Sequence, residues 1–160
     1  MAFATPDLCD EHGDLLQVAT PDFQFYGVSR HLQGRVATVK CFEDNSKVAE
    51  LIDTPGEGRV LVVDGGASLR YSLFGGNLGV KAVDNNWAGV VVWGALRDVE
   101  ELCDLPIGIL ALASVPRKTN KRGQGVCDVE VEVAGMTVVP GSFIYADDNG
   151  VVLSPRDLGV

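Results

Sequence analysis

Hydrophobic residues follow two rhythms along this chain, and the change falls near residue 128. Before it they come in unbroken runs: "GRVATVKCF" (34–42), "GRVLVVDGG" (58–66), "GVVVWG" (89–94) and "IGILALAS" (107–114). Short runs rich in β-branched residues and closed by glycine or polar residues read as strands buried on both faces, the pattern of a parallel sheet. Helical patterns lie between them. In "TPDLCDEHG" (5–13) Thr5 can cap, Pro6 suits the first helical position, Asp7 favours the positive end and Gly13 can close the helix. "EDNSKVAELIDTPG" (43–56) predicts a short helix capped by Asn45 or Ser46 and stopped before Pro55. "GGNLGVKAVDNNWAG" (75–89) sets Leu78, Ala82 and Val83 on one helical face. After residue 128 the rhythm becomes strict alternation. Val129, Val131 and Val133 interleave with Glu130 and Glu132, which predicts a sheet with one wet face. Ala134-Gly135 reads as a hairpin turn, and Asp148-Asn149-Gly150 as a second. The expected fold class is α/β: a mixed sheet of parallel βα units followed by antiparallel C-terminal hairpins, one domain over 1–160.

Composition narrows the function classes. The formal net charge is -9, with 46% hydrophobic and 22% charged residues. Direct nucleic-acid binding is not expected, because a phosphate backbone needs a basic face. The short basic cluster "PRKTNKRG" (116–123) reads as a solvated loop. No signal peptide and no membrane span is expected, which points to a cytoplasmic protein. Cysteines at 9, 41, 103 and 127 form no C-x-x-C pair, so neither a disulfide framework nor a zinc motif is expected. Any metal would be a hard cation held by oxygen. Trp87 and Trp93 read as packing residues, and Asp147-Asp148 as part of a hairpin turn.

Two places could carry chemistry. The glycine turns "DGGAS" (64–68) and "FGGNLG" (74–79) are neither a dinucleotide fingerprint nor a P-loop. The second opens a helix, where main-chain N–H groups and the helix end favour an anion such as a carboxylate. Its alternative is plain turn punctuation. The other place is "VVVWGALRDVEEL" (90–102), where Arg97 and Asp98 stand just past a buried strand. Arg97 offers a planar fork to a carboxylate or polarised carbonyl. Asp98 offers hard oxygen to a divalent ion. Equally, Asp98, Glu100 and Glu101 suit the first turn of a helix, with Asp98 as its cap.

In order along the chain, "TPDLCD", "TVKCFEDNS", "GRVLVVDGGASLR", "VVVWGALRDVEEL", "DLPIGILAL" and "VEVAGMTVVPGSFIYADDNGVVLSP" resemble the regulator-of-ribonuclease-E-activity A (RraA-like) family. That family merges with the class II 4-hydroxy-4-methyl-2-oxoglutarate aldolases, and the resemblance runs from about residue 5 to residue 155. It implies a swivelling β/β/α, phosphohistidine-domain-like fold, assembled as a homotrimer or hexamer with a site at the subunit interface. It implies substrate binding by Gly75, Gly76, Asn77, Leu78 and Arg97, with Arg97 also catalytic, and a divalent metal (Mg²⁺, or Mn²⁺) on Asp98. Two departures stand out. The aldolase pattern has an aspartate, then twenty residues, then its Arg-Asp pair, and Gly76 stands at the aspartate's place. The chain also ends at Val160, short of a C-terminal segment that supplies a further acid in aldolase members. The implied activity is retro-aldol cleavage of a small 2-oxo acid to pyruvate, with oxaloacetate decarboxylation on the side. The alternative is a protein inhibitor of ribonuclease E, for which an acidic surface suits a basic partner segment. A methyltransferase label, which such proteins sometimes carry, has no G-x-G-type cofactor turn to support it.

Overall fold

The computed structural model describes residues 3–160. In chain order its elements are α1 (Thr5–His12), a 3₁₀ turn (Gly13–Leu15), β1 (Gln17–Val18), β2 (Gln24–Phe25), β3 (Leu32–Lys40), α2 (Ser46–Ile52), β4 (Val60–Asp64), β5 (Ser72–Phe74), α3 (Gly76–Asp84), β6 (Gly89–Leu96), α4 (Val99–Leu102), β7 (Gly108–Ser114), β8 (Val126–Cys127), β9 (Val131–Val133), β10 (Met136–Val138), β11 (Phe143–Asp147) and β12 (Gly150–Ser154). Ten strands form one mixed sheet in the order β1-β12-β11-β3-β4-β6-β7-β2, with β5 beside β6 and β8 beside β3; β9 and β10 pair separately. Strands β3, β4, β6 and β7 are mutually parallel, and β11–β12 is an antiparallel hairpin.

The unbroken apolar runs are explained by cover on both faces. Successive side chains on a strand alternate sides. Leu61 and Val63 of β4 and Val90 and Val92 of β6 face the side covered by Val48 and Ile52 of α2, Ala82 of α3 and Leu102 of α4. Val60, Val62 and Val91 face the other side, where the hairpins bring Val131, Val133, Met136, Val138 and Ile144. Every one of these side chains is buried, and each one larger than Ala82 contributes roughly 1.5–3 kcal/mol of transfer free energy. The hairpin turns form where the sequence sets them: Ala134 and Gly135 both have positive φ (49° and 77°), as a two-residue turn with this twist requires. Leu78 and Val83 pack beside Ala82 as the helical spacing predicts.

The caps differ from expectation. Ala4, not Thr5, occupies the N-cap of α1 and makes no side-chain cap bond. Thr5 instead donates its N–H and hydroxyl to the Asp147 carboxylate, both at 2.7 Å. The acid that satisfies this helix end therefore comes from β11. Asn45 sits at the N-cap of α2 without capping it; Asp44 accepts the Ser46 N–H and hydroxyl at 2.9 and 2.6 Å, while Asn45 Nδ2 donates to the Leu73 carbonyl. Strand β6 runs to Leu96, two residues past the predicted end. Both tryptophans are packing residues. Trp87 Nε1 donates to the carbonyls of Ile52 and Thr54, and Trp93 meets Phe23 edge-on. All four cysteines are free, and burial pushes the Cys41 thiol up to about 12, helped by Asp64 and Asp44. Among the described residues no helix is long and apolar enough to cross a membrane.

Candidate active site

Strand register builds the site. β5 and β6 run parallel with Ser72 opposite Ala95 and Phe74 opposite Leu96. The chain therefore leaves both strands at one level, and Gly75 emerges beside Arg97. The Arg97 N–H closes the ladder on the Phe74 carbonyl at 2.9 Å. On the other side of β6, Ser114 at the end of β7 pairs with Leu96. The segment after β7 crosses back to β5, where the Ser72 N–H donates to the Arg117 carbonyl at 2.7 Å. Three parallel strand ends thus surround a cavity of about 810 Å³. Open α/β sheets place ligands at such carboxyl ends.

All six residues singled out in the sequence line this cavity: Gly75, Gly76, Asn77, Leu78, Arg97 and Asp98. Gly75 is the N-cap of α3 and Gly76 its first residue. Neither has a positive φ among the described residues; close approach is what requires glycine. A Cβ on Gly75 would lie 2.7 Å from Asp98 Oδ2 and 3.3 Å from Arg97 Cγ. A Cβ on Gly76 would run into the Glu101 carboxylate. As the first turn of α3, Asn77 and Leu78 carry N–H groups with no intrahelical acceptor, at the positive end of the helix dipole.

The Arg-Asp pair is where cap and site were in competition. Asp98 does occupy the N-cap of α4, but it lies in the left-handed region (φ 62°, ψ 45°) and makes no side-chain bond to its own helix. Its Oδ2 accepts the Gly76 N–H at 2.8 Å, so it caps the neighbouring helix α3 across the cavity rim. Arg97 Nε lies 4.0 Å from the same oxygen, with both side chains a little over one-third exposed. Arg97 Nη1 reaches the Pro116 carbonyl at 3.4 Å. The rest of the guanidinium has no hydrogen-bond acceptor among the described residues and can receive a planar anion.

Two features escape the sequence reading. The upstream acid looked absent at Gly76, yet Glu101 directs its carboxylate into the space beside that glycine. The Asp98 carboxylate, on the Gly76 N–H, and the Glu101 carboxylate, in the space of the missing Cβ, thus both flank Gly76. Among the described residues no three or more His, Cys, Asp and Glu side chains are grouped so that they could hold a metal ion together. Two hard oxygen donors with room for water suit Mg²⁺, which commonly keeps several waters, rather than a closed zinc site. The spacing Arg97-Asp98-x-x-Glu101 was the available signal, since a short helical turn brings its last residue back towards its start. The second feature is the basic segment. Apart from buried Thr119 its side chains are exposed, as a solvated loop predicts, but Lys118, Thr119, Asn120 and Lys121 wall the cavity. The end of β7, on the same sheet edge as that of β6, was the signal for it.

The parallel sheet, its hairpin cover and the cavity at three strand ends define an α/β protein with a small-ligand type of site. The chain belongs to the RraA-like family (Aldolase/RraA), which matches residues 5–153. A relative from Ectopseudomonas mendocina (strain ymp), named "Putative 4-hydroxy-4-methyl-2-oxoglutarate aldolase", is 51% identical over 160 residues, covering 100% of this chain and 99% of its own. The structure of the RNA-processing inhibitor RraA from Thermus thermophilis superposes with a TM-score of 0.95 at 46% identity, covering 100% of this chain and 98% of that one. A Geobacillus kaustophilus HTA426 structure, described as an S-adenosylmethionine:2-dimethylmenaquinone methyltransferase, matches at 0.95 and 44% identity over 98% of this chain and 97% of its own.

Proposed function

We propose that this chain is a class II aldolase that cleaves 4-hydroxy-4-methyl-2-oxoglutarate into two pyruvates with the help of a divalent cation. The observation that carries the reading is the meeting of the glycine turn, Arg97 and Asp98 at one cavity rim, with the Glu101 carboxylate beside Gly76. The similarity to named aldolases over the full chain supports it. In the reaction the C4 hydroxyl loses its proton and becomes the carbonyl of one pyruvate. The C3–C4 bond breaks, its electron pair passes to the 2-oxo group as an enolate, and a proton added at C3 gives the second pyruvate. Arg97 offers its fork to the 2-oxo acid end, and the free N–H groups of Asn77 and Leu78 complete the cradle. These groups act most strongly where negative charge builds up in the enolate. Asp98 and Glu101 would hold the cation, Mg²⁺ by preference and Mn²⁺ as a second hard ion. When bound, that cation supplies Lewis-acid stabilisation of the developing oxyanion. Loss of CO₂ from oxaloacetate leads to the same enolate, so decarboxylation is the expected side activity.

The same reading takes residues 1–160 as a single cytoplasmic domain working as a homotrimer or hexamer. Exposed Phe42, Leu69, Val80 and Val126 support an assembled form, since each leaves about half or more of its apolar surface uncovered in one chain. The match to an RNA-processing inhibitor, with the net charge of -9, supports a second role: binding a basic segment of ribonuclease E. That binding should weaken with salt and ignore Asp98→Ala. The primary test is pyruvate release from 4-hydroxy-4-methyl-2-oxoglutarate, with Mg²⁺ and with EDTA. Release that needs the metal is expected; full activity in EDTA, or none under either condition, would overturn the proposal.

A further inference from the structure

The large sheet begins with β1 and ends with β2, and these two edge strands do not pair with each other. A second cavity, of about 510 Å³, lies between them, bordered by Val18 of β1, Gln24 and Phe25 of β2, and the turn 147–150. That turn follows Ala146, which pairs with Leu32 at the start of β3. The cavity therefore sits at the amino ends of the parallel strands, at the opposite edge of the sheet from Arg97 and Asp98.

Its floor is apolar and its mouth is charged. Leu110 and Val151 are buried, and Phe23 and Phe25 pack beside them on the hairpin-side core. At the mouth, Arg30 Nε donates to Asp148 Oδ1 at 2.6 Å, and the guanidinium carbon stands 5.3 Å from the centre of the Phe25 ring. Both side chains are more than half exposed, so their pairing adds little to the stability of the fold. It does hold a donor fork beside an acceptor. Among the described residues the Arg30 Nη groups donate to nothing and Asp148 Oδ2 accepts nothing. Asp147 also borders the cavity, but its oxygens already take the Thr5 N–H and hydroxyl and the Asn149 N–H.

The charges select the ligand. A lone anion on Arg30 would face Asp148, and a lone cation on Asp148 would face Arg30, and like charges side by side are costly. A zwitterion meets both with opposite charge, carboxylate to the Arg30 fork and ammonium to Asp148. Its side chain then leaves water for the apolar floor. We infer that this cavity binds an α-amino acid with an apolar side chain. The inference stands apart from the aldolase reading, because the two cavities share no residue.

The test is titration of the isotope-labelled protein with L-leucine and with L-phenylalanine, followed by NMR. 4-Methylpentanoate and 3-methylbutylamine serve as leucine without its ammonium and without its carboxylate. Binding of either amino acid should shift the amides of Phe25, Leu110 and residues 149–151. Each truncated analogue should bind about tenfold or more weakly, the scale of one charge-assisted contact. Arg30→Gln and Asp148→Asn should each weaken the amino acids by a similar factor. The melting temperature should not change in either variant, because both side chains are exposed. An unchanged spectrum with both amino acids at about 10 mM, or shifts confined to residues 75–78, would overturn the inference. So would analogues that bind as tightly as leucine, or amino-acid binding that both variants retain in full.

Discussion

Asp98 holds a backbone conformation that few residues other than glycine take, and it does so to reach a helix that is not its own. Left-handed φ costs a non-glycine residue on the order of 1 kcal/mol, least for Asp and Asn. The return is the bond from the Gly76 N–H and a carboxylate on the cavity rim. Gly76 matters for what it lacks. Its missing Cβ leaves the space that the Glu101 carboxylate fills. Gly76→Ala should therefore fold with a small loss of stability, because the colliding atoms are the far end of a flexible side chain. It should nonetheless raise the Mg²⁺ concentration for half-maximal turnover about tenfold, the scale on which disturbed metal sites lose affinity. Glu101→Gln should raise it similarly with no change in melting temperature. A metal titration of both variants checks this; an unchanged Mg²⁺ requirement in Glu101→Gln would remove Glu101 from the metal site. At this scale the sequence was half legible. Arg97, Asp98 and the glycine turn stand out, but the spacing of Glu101 after them gains its meaning only from the absence of a side chain 25 positions earlier.

Among the elements, the segment 116–124 depends on one acid. Burial raises the Asp44 pKa, but hydrogen bonds from the Ser46 hydroxyl and N–H and from the Arg122 and Gln124 N–H groups outweigh it and bring the carboxyl down to about 2. Its folded value lies below the ordinary 3.8. The stabilisation is therefore complete above about pH 4 and is lost as pH falls through 2, amounting to about 2 kcal/mol. Asp44→Ala removes the acceptor for four donors. It should lower stability by roughly 1–3 kcal/mol, loosen the basic wall, and flatten the acid limb of the stability curve between pH 4 and 2. Thermal unfolding of wild type and variant across that range checks it; parallel curves would contradict the assignment. Element types were read well from the sequence where burial on both faces leaves an unbroken apolar run, as in β4 and β6. Caps were read poorly. The partner of Thr5 is Asp147, distant in sequence, and Asn45 turns to Leu73 and Thr119 while Asp44 caps in its place. Side-chain types suited to capping mark a helix start without deciding which acceptor lies nearest in the fold. The basic segment is exposed, as a solvated loop predicts, but its place on the cavity wall depends on β5, β6 and β7 ending at one edge.

On the scale of the molecule, the architecture turns three separate strand ends into one cavity. The parallel order β4-β6-β7, with β5 added beside β6, aligns their carboxyl ends. The hairpins close the opposite face and leave that edge open. The lysines and arginine of the cavity draw small anions inward, while the net charge of -9 discourages nucleic acid. The central claim is that Asp98 is a working site residue in addition to a cap. Asp98→Asn separates the two roles, because Asn tolerates the left-handed conformation, accepts the Gly76 N–H through its side-chain oxygen and caps about as well as Asp. The decisive measurement is Mg²⁺-dependent pyruvate release from 4-hydroxy-4-methyl-2-oxoglutarate by wild type and Asp98→Asn, beside metal-free thermal unfolding of both. The account predicts that turnover falls by about a hundredfold or more, as for loss of a directly coordinating charge, while the melting temperature barely moves. An Asp98→Asn protein as fast as wild type would contradict it and leave Asp98 only the cap of α3.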